Sequence, residues 1–507
     1  MKLLKWIDTN LLLLLTLVLL AVIPLYPKVP LLSLTYTWVS IRWDDVLVAL
    51  TVLFYFVQLI RGKATWKLPV SYAVFTYWVV GLTATILGVI FIFPHYPLLF
   101  TNMPSVYVRN AALFFLRHIE YMLLLFVAFS TIKNKKQIHS IIITLVITLT
   151  LVIIYGLGQR FFPIYFPAFS TMNEEFAKGF VLYLNATDRL ESTFAGHYDL
   201  AAYMALMIPL VGSLVFGYKR WSIKILLLVI SVLGILILLW TSSRTSFIAY
   251  LIAICFMLVL QKQKKWIIPV VLVSVLLLFS FQSVWTRYAS TVKPVRVAVD
   301  SNGNLLGIVK NANGHDIIDQ TTIPGANLPA GTLRVGNKTK VGELNGISVE
   351  TLKSGSNTAI MSRIKGNITI QQTQTLDISL TTRLQAEWPN AIKAWLRDPL
   401  FGSGFSSVGL ATDGNYFRIL AETGILGMIA FLSIFFFYGK YVWRNLSKVD
   451  SPVVRSFILG VSAGIVGIAI NASLIDIFEA SKVAYTLWLL MGISLGLLHL
   501  YARTTHK

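Results

Sequence analysis

The sequence predicts an all-α polytopic membrane protein with about 12 transmembrane helices and a small β-rich domain inserted in a large extracytoplasmic loop. Composition is the first observation behind this fold class. Of the 507 residues, 56% are hydrophobic and only 13% are charged, whereas soluble domains carry about 25% charged residues. The second observation is that apolar runs long enough to cross a bilayer core of about 30 Å recur throughout the chain. These features exclude a water-soluble globular protein and a disordered chain.

Each apolar run is interpreted as one transmembrane helix. The runs lie at 11–27, 44–60, 69–93, 112–131, 138–161, 196–217, 222–241, 244–261, 266–284, 420–440, 455–475 and 481–501. The first run begins after Lys5 and resembles a signal peptide, but no cleavage site of the small-x-small type follows it. We therefore expect this run to be retained as a helix.

The distribution of basic residues predicts the orientation in the membrane. The chain has 43 Lys+Arg against 22 Asp+Glu, which gives a net charge of +21. If the N-terminus is cytoplasmic, every loop on that side is basic, and its acidic residues are Asp8 and Asp450. Cytoplasmic loops of membrane proteins carry such an excess of Lys and Arg. We therefore expect both termini to be cytoplasmic, and we interpret the net charge as a topology signal that requires no nucleic-acid partner.

The composition changes within the longest outer loop, at about 285–419. Residues 291–380 are rich in Gly, Asn, Thr and Ser, and they contain short alternating runs such as 295–299. Asn-Gly pairs interrupt these runs, which is typical of β-hairpins. The pairs are Asn302-Gly303, Asn313-Gly314 and Asn345-Gly346. This pattern predicts the β-rich insertion.

A helical pattern returns after the insertion. Within 381–397, four large apolar residues recur at helical spacing, which predicts an amphipathic extracytoplasmic helix. They are Leu384, Trp388, Ile392 and Trp395. The expected divisions are an N-terminal bundle at 1–284, the loop with the β-rich insertion at 285–380, the amphipathic helix and loop at 381–419, and the C-terminal helices at 420–507.

The distinctive polar segments all fall on the predicted outer side. They are 189–194 leading into 196–203, 241–246, 383–395, 398–404 and 413–424. A transporter would place polar groups near the membrane midplane, in broken helices, but the helix centres here consist of Leu, Ile, Val and Phe. We therefore favour chemistry at the outer face over transport.

Four motifs occur in a specific order within these segments. They are Arg189-x-x-Ser-Thr-Phe194, Ser243-Arg244 opening a helix, Arg383…Trp…Asp398-Pro-Leu-Phe-Gly-x-Gly404, and Asn415-Tyr…Glu422-x-Gly-x-x-Gly427. In order and spacing, over about 150–260 and 381–500, the chain resembles the O-antigen ligase family of lipopolysaccharide ligases and O-antigen polymerases. The resemblance implies a helical glycosyltransferase-C-like fold and a donor glycan linked to polyprenyl pyrophosphate. It also implies metal-independent, inverting transfer without a cofactor.

The resemblance implies that Arg189 and Arg244 bind the pyrophosphate and that Arg383 assists. Negative charge develops on the leaving pyrophosphate, and a guanidinium group matches phosphate oxygens and stays charged. Arg244 would also lie at a helix N-terminus, which favours an anion. The structural alternatives are a snorkelling Arg244, an ordinary loop arginine at Arg189, and an Arg383 that pairs with Glu387 at i,i+4.

Two residues are candidates for the base that orients or deprotonates the acceptor hydroxyl. The family typically has a His before the Asn of the fourth motif, but Gly414 occupies that place here, after Asp413. The role passes either to Asp413 or to His197, and His197 is otherwise explained by capping or packing at a helix start. This departure leaves the choice between ligase and polymerase open.

Other charged residues have structural interpretations. We expect Arg117 and Glu120 to pair on one face of the fourth helix. The adjacent aspartates at 44–45, at a helix start, are more typical of capping and dipole partners than of a metal site. The acidic turn at 476–479 is interpreted as solvated.

These features predict a bacterial inner- or plasma-membrane enzyme that acts at its extracytoplasmic face. The resemblance implies transfer of a preassembled glycan from undecaprenyl pyrophosphate to a hydroxyl group of a lipid, glycan or protein acceptor. Within the same family, the alternative is a polymerase of polysaccharide repeat units. Outside it, the alternatives are a flippase for lipid-linked glycans and an envelope assembly protein. In the second case the β-rich insertion would be the functional domain and the membrane helices a scaffold.

Overall fold

The fold is that of a computed structural model, which describes residues 2–33, 40–95, 104–170, 180–185, 188–289, 292–299, 305–312, 315–319, 332–335, 349–351, 369–376, 382–409 and 412–504. The described chain is mostly helical and divides into two compact units. The first unit comprises Met1–Trp285 and Ala391–Lys507, and the second comprises Thr286–Asn390. The first unit is a helix bundle, and the second contains a β-sheet.

The α-helices follow the predicted apolar runs. In chain order, the described ranges contain α1 (Lys2–Leu25), α2 (Trp43–Ile60), α3 (Ser71–Leu87), α4 (Pro104–Thr131), α5 (Gln137–Phe161), α6 (His197–Gly217), α7 (Trp221–Trp240), α8 (Arg244–Leu260), α9 (Ile267–Phe279), α10 (Gln282–Ala289), α11 (Trp388–Trp395), α12 (Asn415–Asn445), α13 (Pro452–Asn471) and α14 (Ser481–Thr504). A π-helical turn at Gly88–Ile92 extends α3, and another at Arg383–Glu387 precedes α11. Two short hairpins also belong to the bundle: β1 (Pro30–Ser33) with β2 (Ser40–Arg42), and β3 (Ala168–Ser170) with β4 (Phe180–Leu182).

Nine helices in the described ranges are long and apolar enough to cross a membrane. They are α2, α3 with its π-helical turn, α4, α5, α6, α7, α12, α13 and α14. The apolar part of α1, Asn10–Leu25, and the helix α8 are shorter, and α9 has 13 residues. A helix of that length spans only about 20 Å of a core about 30 Å thick. The multi-pass membrane protein is therefore confirmed, whereas the expected twelve transmembrane helices are not.

Helices α6 and α14 form the centre of the bundle. In an apolar stretch of 18 residues within each of these helices, 89% of the residues are buried inside the protein, compared with 28% in α2 and 22% in α3. Small residues let α13 approach α6 closely. A Cβ atom on Gly464 would lie 2.7 Å from the carbonyl oxygen of Leu206, and one on Gly460 would lie 2.8 Å from a backbone carbon of α6. These contacts hold α13 against α6. Polar residues lie at one end of this helix pair.

The second unit contains a six-stranded antiparallel sheet with the strand order β10-β5-β6-β7-β8-β9. Its strands are β5 (Val292–Val299), β6 (Leu305–Ala312), β7 (His315–Asp319), β8 (Thr332–Val335), β9 (Val349–Thr351) and β10 (Thr369–Leu376). The alternating run at 295–299 lies in β5, where Val295 pairs with Thr373. The three Asn-Gly turn pairs lie outside the described residues. An independent β-rich domain therefore stays a prediction.

Two helices begin earlier than the apolar runs predict. α4 begins at Pro104 rather than near residue 112, and α12 begins at Asn415 rather than near residue 420. The first two turns of these helices bury polar residues such as Asn110 and Arg418, so apolarity alone does not mark where they begin. The boundary expected between 381–419 and the C-terminal helices consequently falls inside α12.

Candidate active site at one end of the bundle

The loop at 188–196 is fixed at the end of the bundle where α5 and α7 finish. The backbone N–H of Leu190 donates to the carbonyl oxygen of Trp240 at 3.1 Å. The side-chain amide of Gln159 accepts from the N–H of Ser192 at 2.6 Å and donates to the carbonyl oxygen of Ser192 at 2.9 Å. These bonds satisfy buried backbone groups without regular secondary structure. The loop therefore lies beside the turn that leads from α7 into α8.

The structure brings together two predicted site residues, Arg189 and His197. His197 is the first residue of α6 and is 5% exposed, and its Nε2 atom lies 2.8 Å from Nη1 of Arg189. A guanidinium group only donates hydrogen bonds, so Nε2 accepts and the neutral ring carries its hydrogen on Nδ1. The contact orients the guanidinium group, but it occupies the lone pair that a general base would use.

Two lysines that sequence reasoning missed also lie at this end. Lys28, which follows α1, forms an ion pair of 2.6 Å with Asp199 of α6. Lys482 is completely buried, and its Nζ atom donates to the carbonyl oxygens of Pro24 at 3.1 Å and of Thr193 at 2.8 Å. Lys482 thereby ties the loop to the end of α1 and the start of α14. The available signal was a lysine at the outer end of a predicted transmembrane helix. Such a lysine is unusual, because Lys and Arg concentrate on the cytoplasmic side of membrane proteins.

Glu191 is a third residue of the site to which the sequence motif gave no role. Its side chain is buried, at 8% exposure, and its Oε2 atom has no hydrogen-bond partner among the described residues. Burial, and after it the negative charge of Asp199, raises the pKa of this carboxyl group to about 7. A carboxyl group of this kind can exchange a proton near neutral pH.

Arg244 is the first residue of α8, at the helix start where the sequence placed it. The hydroxyl group of Ser243 caps this helix by accepting from the N–H of Ser246 at 3.4 Å. The hydroxyl group of Ser246 in turn donates to Oδ1 of Asn471, at the end of α13, at 2.8 Å. Arg244 is partly exposed, and it adjoins the first-turn N–H groups, where the helix dipole favours an anion.

The fourth motif forms the start of α12 and is held by the turn between α13 and α14. The N–H of Asn415 donates to the carbonyl oxygen of Ala472 at 2.8 Å, and Oδ1 of Asn415 accepts from the N–H of Phe478 at 2.8 Å. Asp413 precedes the helix in the left-handed conformation, with φ = 46°, which is uncommon for a residue other than glycine. The motif is thereby joined to the same end of α13 that binds α8.

Asp476 and Glu479 are largely buried anions, at 14% and 15% side-chain exposure, which corrects the interpretation of a solvated turn. Asp476 accepts from the N–H of Gly414 at 3.0 Å and pairs with Nη2 of Arg418 at 2.9 Å. Burial alone would raise the pKa of Asp476, but Arg418 and the backbone N–H groups outweigh it and lower the pKa. Glu479 lies 3.1 Å from Nε2 of His118 in α4. The turn is buried because its carboxylates contact His118 of α4 and Arg418 of α12.

The predicted pairing of Arg117 with Glu120 is confirmed, at 3.0 Å between Nη1 and Oε2. Asp45 lies 2.6 Å from Arg117 and also accepts from the N–H of Arg42 at 2.9 Å, before α2. Asp44 lies 3.2 Å from Nε of Arg42. The two aspartates are therefore ion-pair and capping partners. Within the ranges that the structure describes, no group of three or more His, Cys, Asp or Glu side chains is arranged to hold a metal ion.

Arg383, the third predicted phosphate-binding residue, belongs to the second unit. It is the first residue of the π-helical turn Arg383–Glu387. Its participation in pyrophosphate binding stays a prediction.

Hydrogen bonds connect the polar segments of the first unit into one region. The loop that carries Arg189 is bonded to the end of α7, the start of α8 to the end of α13, and the turn after α13 to the start of α12. This end of the bundle thus combines guanidinium groups, a helix N-terminus and a buried carboxyl group. Such a combination suits a phosphorylated substrate and proton transfer from a hydroxyl group.

The family model described as O-antigen ligase matches residues 229–432. The matched range runs from α7 into α12 and includes Arg244, Arg383 and Asp413, whereas Arg189 and His197 precede it. No curated protein matches the chain. The chain is thus a multi-pass membrane protein in which residues 229–432 are similar to the O-antigen ligase family.

Proposed function

We propose that the protein transfers a preassembled glycan from undecaprenyl pyrophosphate to an acceptor hydroxyl group, at the extracytoplasmic face of a bacterial inner or plasma membrane. The observation that carries this proposal is the bonded region that contains Arg189, His197 and Arg244. Part of that region lies in the O-antigen ligase domain, and part lies before it. Glycan transfer of the O-antigen ligase type is the activity that the family supports.

The charge distribution supports the extracytoplasmic location of the site. The site lies where α5 and α7 end, whereas the loop between α4 and α5 at the opposite end carries Lys133, Lys135 and Lys136. Basic loops favour the cytoplasmic side. The site then faces the side on which lipid-linked glycans are used for envelope assembly.

In the proposed reaction, Arg189 and Arg244 hold the pyrophosphate of the donor, and Arg383 assists. The acceptor oxygen attacks the anomeric carbon from the face opposite the pyrophosphate. The bond between that carbon and the phosphate oxygen breaks, and its electron pair stays on the pyrophosphate. Transfer therefore inverts the anomeric centre, and guanidinium groups stabilise the charge that a metal ion would otherwise neutralise.

His197 and Asp413 are the residues expected to orient or deprotonate the acceptor. The contact of His197 with Arg189 fits an orienting role, because its Nε2 lone pair is already engaged. Asp413 lies at the start of α12, next to the buried turn after α13. The choice between them is open to direct measurement of the reaction.

The test is turnover of the purified protein with an undecaprenyl-pyrophosphate oligosaccharide and a pool of acceptors in the presence of EDTA. We expect the wild type to release undecaprenyl pyrophosphate and Arg244→Ala to be slower by about 100-fold or more. Arg220→Ala is the matched control, because it removes an exposed arginine at the opposite end of the bundle. If the wild type binds the donor but releases no pyrophosphate lipid, the enzyme proposal is wrong, and the flippase becomes the leading candidate.

The same assay separates a ligase from a polymerase of repeat units. A ligase attaches one donor glycan to a different acceptor and gives a single product size for a donor of uniform length. A polymerase uses the glycan of a second donor as acceptor and gives a ladder of products. The absence of the family's usual His before Asn415 makes this comparison necessary.

A further inference from the structure

Glu191 is buried, and one of its carboxylate oxygens lacks a hydrogen bond. It is 8% exposed, yet its Oε2 atom has no hydrogen-bond partner in the part of the chain that the structure describes. Buried polar atoms are normally hydrogen-bonded, because a buried group that has lost water without gaining a partner destabilises the fold. An unpartnered carboxylate oxygen two residues from Arg189 therefore indicates a group that completes its bonding with substrate.

The other titratable groups near this loop are already engaged. Asp199 pairs with Lys28 at 2.6 Å, and the Nε2 atom of His197 accepts from Arg189. Lys482 donates to two backbone carbonyl oxygens and cannot accept a proton while it is charged. Glu191, by contrast, has a buried carboxylate oxygen with no hydrogen-bond partner among the described residues.

We propose that Glu191 is the general base that takes the proton from the acceptor hydroxyl group, an inference that rests on the proposed function. As the acceptor oxygen bonds to the anomeric carbon, its proton moves to the Glu191 carboxylate. The carbon–oxygen bond to the pyrophosphate breaks, and the leaving group keeps the electron pair. Glu191 then returns the proton to solvent. In this chain Glu191 supplies the function that a His before Asn415 would otherwise supply.

Electrostatics suit this role. The charged or titratable groups around the loop include Lys28 after α1, Asp188 and Arg189 in the loop itself, His197 and Asp199 on α6, and Lys482 on α14. Burial and the charge of Asp199 place the pKa of Glu191 at about 7. A base is most effective when its pKa lies near the working pH, because it is then both ionised and basic enough to accept the proton. An exposed glutamate, with a pKa near the ordinary value of 4.5, would be a weaker base.

The first test compares Glu191→Gln with the wild type in the turnover assay, between about pH 5 and about pH 9. We expect kcat to fall by about 100-fold or more and the donor KM to stay within threefold, because Gln keeps the shape but cannot take a proton. The wild-type rate should fall on the acid side with an apparent pKa of about 7, and this acid limb should disappear in the variant. A variant with a rate within threefold of the wild type, or one that keeps the acid limb, would overturn the proposal.

Asp188→Asn is the matched control. It removes one negative charge from the same loop, but Asp188 already accepts from the backbone N–H of Asn185 at 2.7 Å. We expect its kcat to stay within threefold of the wild type. An equal loss in both variants would mean that loop charge, not proton transfer, is responsible.

Chemical rescue provides a second, independent test. Glu191→Ala should regain at least tenfold in rate when formate is added, because the small carboxylate can occupy the vacated space and accept the proton. A folded Glu191→Ala protein that formate does not rescue, although its donor KM is unchanged, would contradict the role. An inactive wild type would instead show that the proposed function itself is wrong, so the two failures are distinguishable.

Discussion

The Nη1 atom of Arg189 lies 2.8 Å from Nε2 of His197, so the imidazole ring holds a guanidinium group that is otherwise exposed. A free arginine side chain loses considerable rotamer freedom when it binds a phosphate group. Holding it in place beforehand reduces the entropy lost on binding. His197 is therefore a positioning residue for the donor in the proposed reaction.

Replacing His197 with Ala should raise the donor KM about tenfold, equivalent to about 1.4 kcal/mol, and should change kcat much less. The physical reason is the release of Arg189 into many rotamers. Initial rates over a range of donor concentrations give both constants. His139→Ala, at the exposed start of α5, is the control. A large drop in kcat with an unchanged KM would show instead that His197 transfers the proton.

The buried carboxyl group of Glu191 should make stability depend on pH. Its pKa in the folded protein, about 7, lies above the ordinary value of 4.5. The folded state therefore binds the proton more tightly than the unfolded state does. This contribution to the free energy of unfolding is complete below about pH 4.5 and is lost as the pH rises through about 7. At about pH 8, Glu191→Gln should accordingly melt at a higher temperature than the wild type, because its free energy of unfolding is larger by at most about 3 kcal/mol. At about pH 5 the two proteins should melt at similar temperatures.

Tryptophan fluorescence during heating in detergent measures both melting temperatures. Asp188→Asn, whose carboxylate accepts a backbone hydrogen bond, should show no such gain at the higher pH. A Glu191→Gln protein that is less stable at both pH values would contradict the direction of the pKa shift.

Removing Arg418 should destabilise the protein strongly. Arg418 is 1% exposed and pairs with Asp476 and Glu422. Arg418→Met leaves these anions without their cation, for which we expect a loss of about 3–5 kcal/mol. Adding Asp476→Asn to that variant should recover part of the loss. Thermal unfolding of the single and double variants measures the coupling, and independent, additive effects would show that the ion pair does not hold the turn.

Close packing of α13 against α6 predicts opposite effects for two glycine substitutions. Gly464→Ala would place Cβ 2.7 Å from the carbonyl oxygen of Leu206, so we expect a loss of about 1–3 kcal/mol. Gly439→Ala meets no atom within 4 Å and should stabilise α12 by up to about 1 kcal/mol through helix propensity. Melting temperatures of the two variants provide the comparison. Equal changes in melting temperature would indicate that α13 and α6 can move apart without a loss in the free energy of unfolding.

Much of the helical fold was predictable because a helix that crosses the bilayer core needs about 20 consecutive, mostly apolar residues, which are visible in the sequence. The start of α12 was missed, since its first turn contains Asn415 and Arg418, which look solvent-facing in sequence. Their partners, Phe478 and Asp476, are 63 and 58 residues away. A polar residue reveals its burial only when such a distant partner is known.

The candidate site was predictable to the extent that local motifs carry it. Arg189, His197 and Arg244 stand in short patterns that resemble a family. Glu191 stands in the same pattern, but its chemical interest comes from burial, which no local pattern shows. The ion pair of Lys28 with Asp199 joins residues 171 apart and required the three-dimensional structure.

The carbonyl oxygen of Pro24 accepts from the hydroxyl group of Thr193 at 2.7 Å and from Nζ of Lys482 at 3.1 Å. The ribosome makes Pro24 early and Lys482 458 residues later, so the loop beside Arg189 gains its last anchor only when α14 enters the membrane. A chain whose synthesis stops before α14 would lack that anchor. The order of synthesis thus delays the complete anchoring of this loop until α14 has been made.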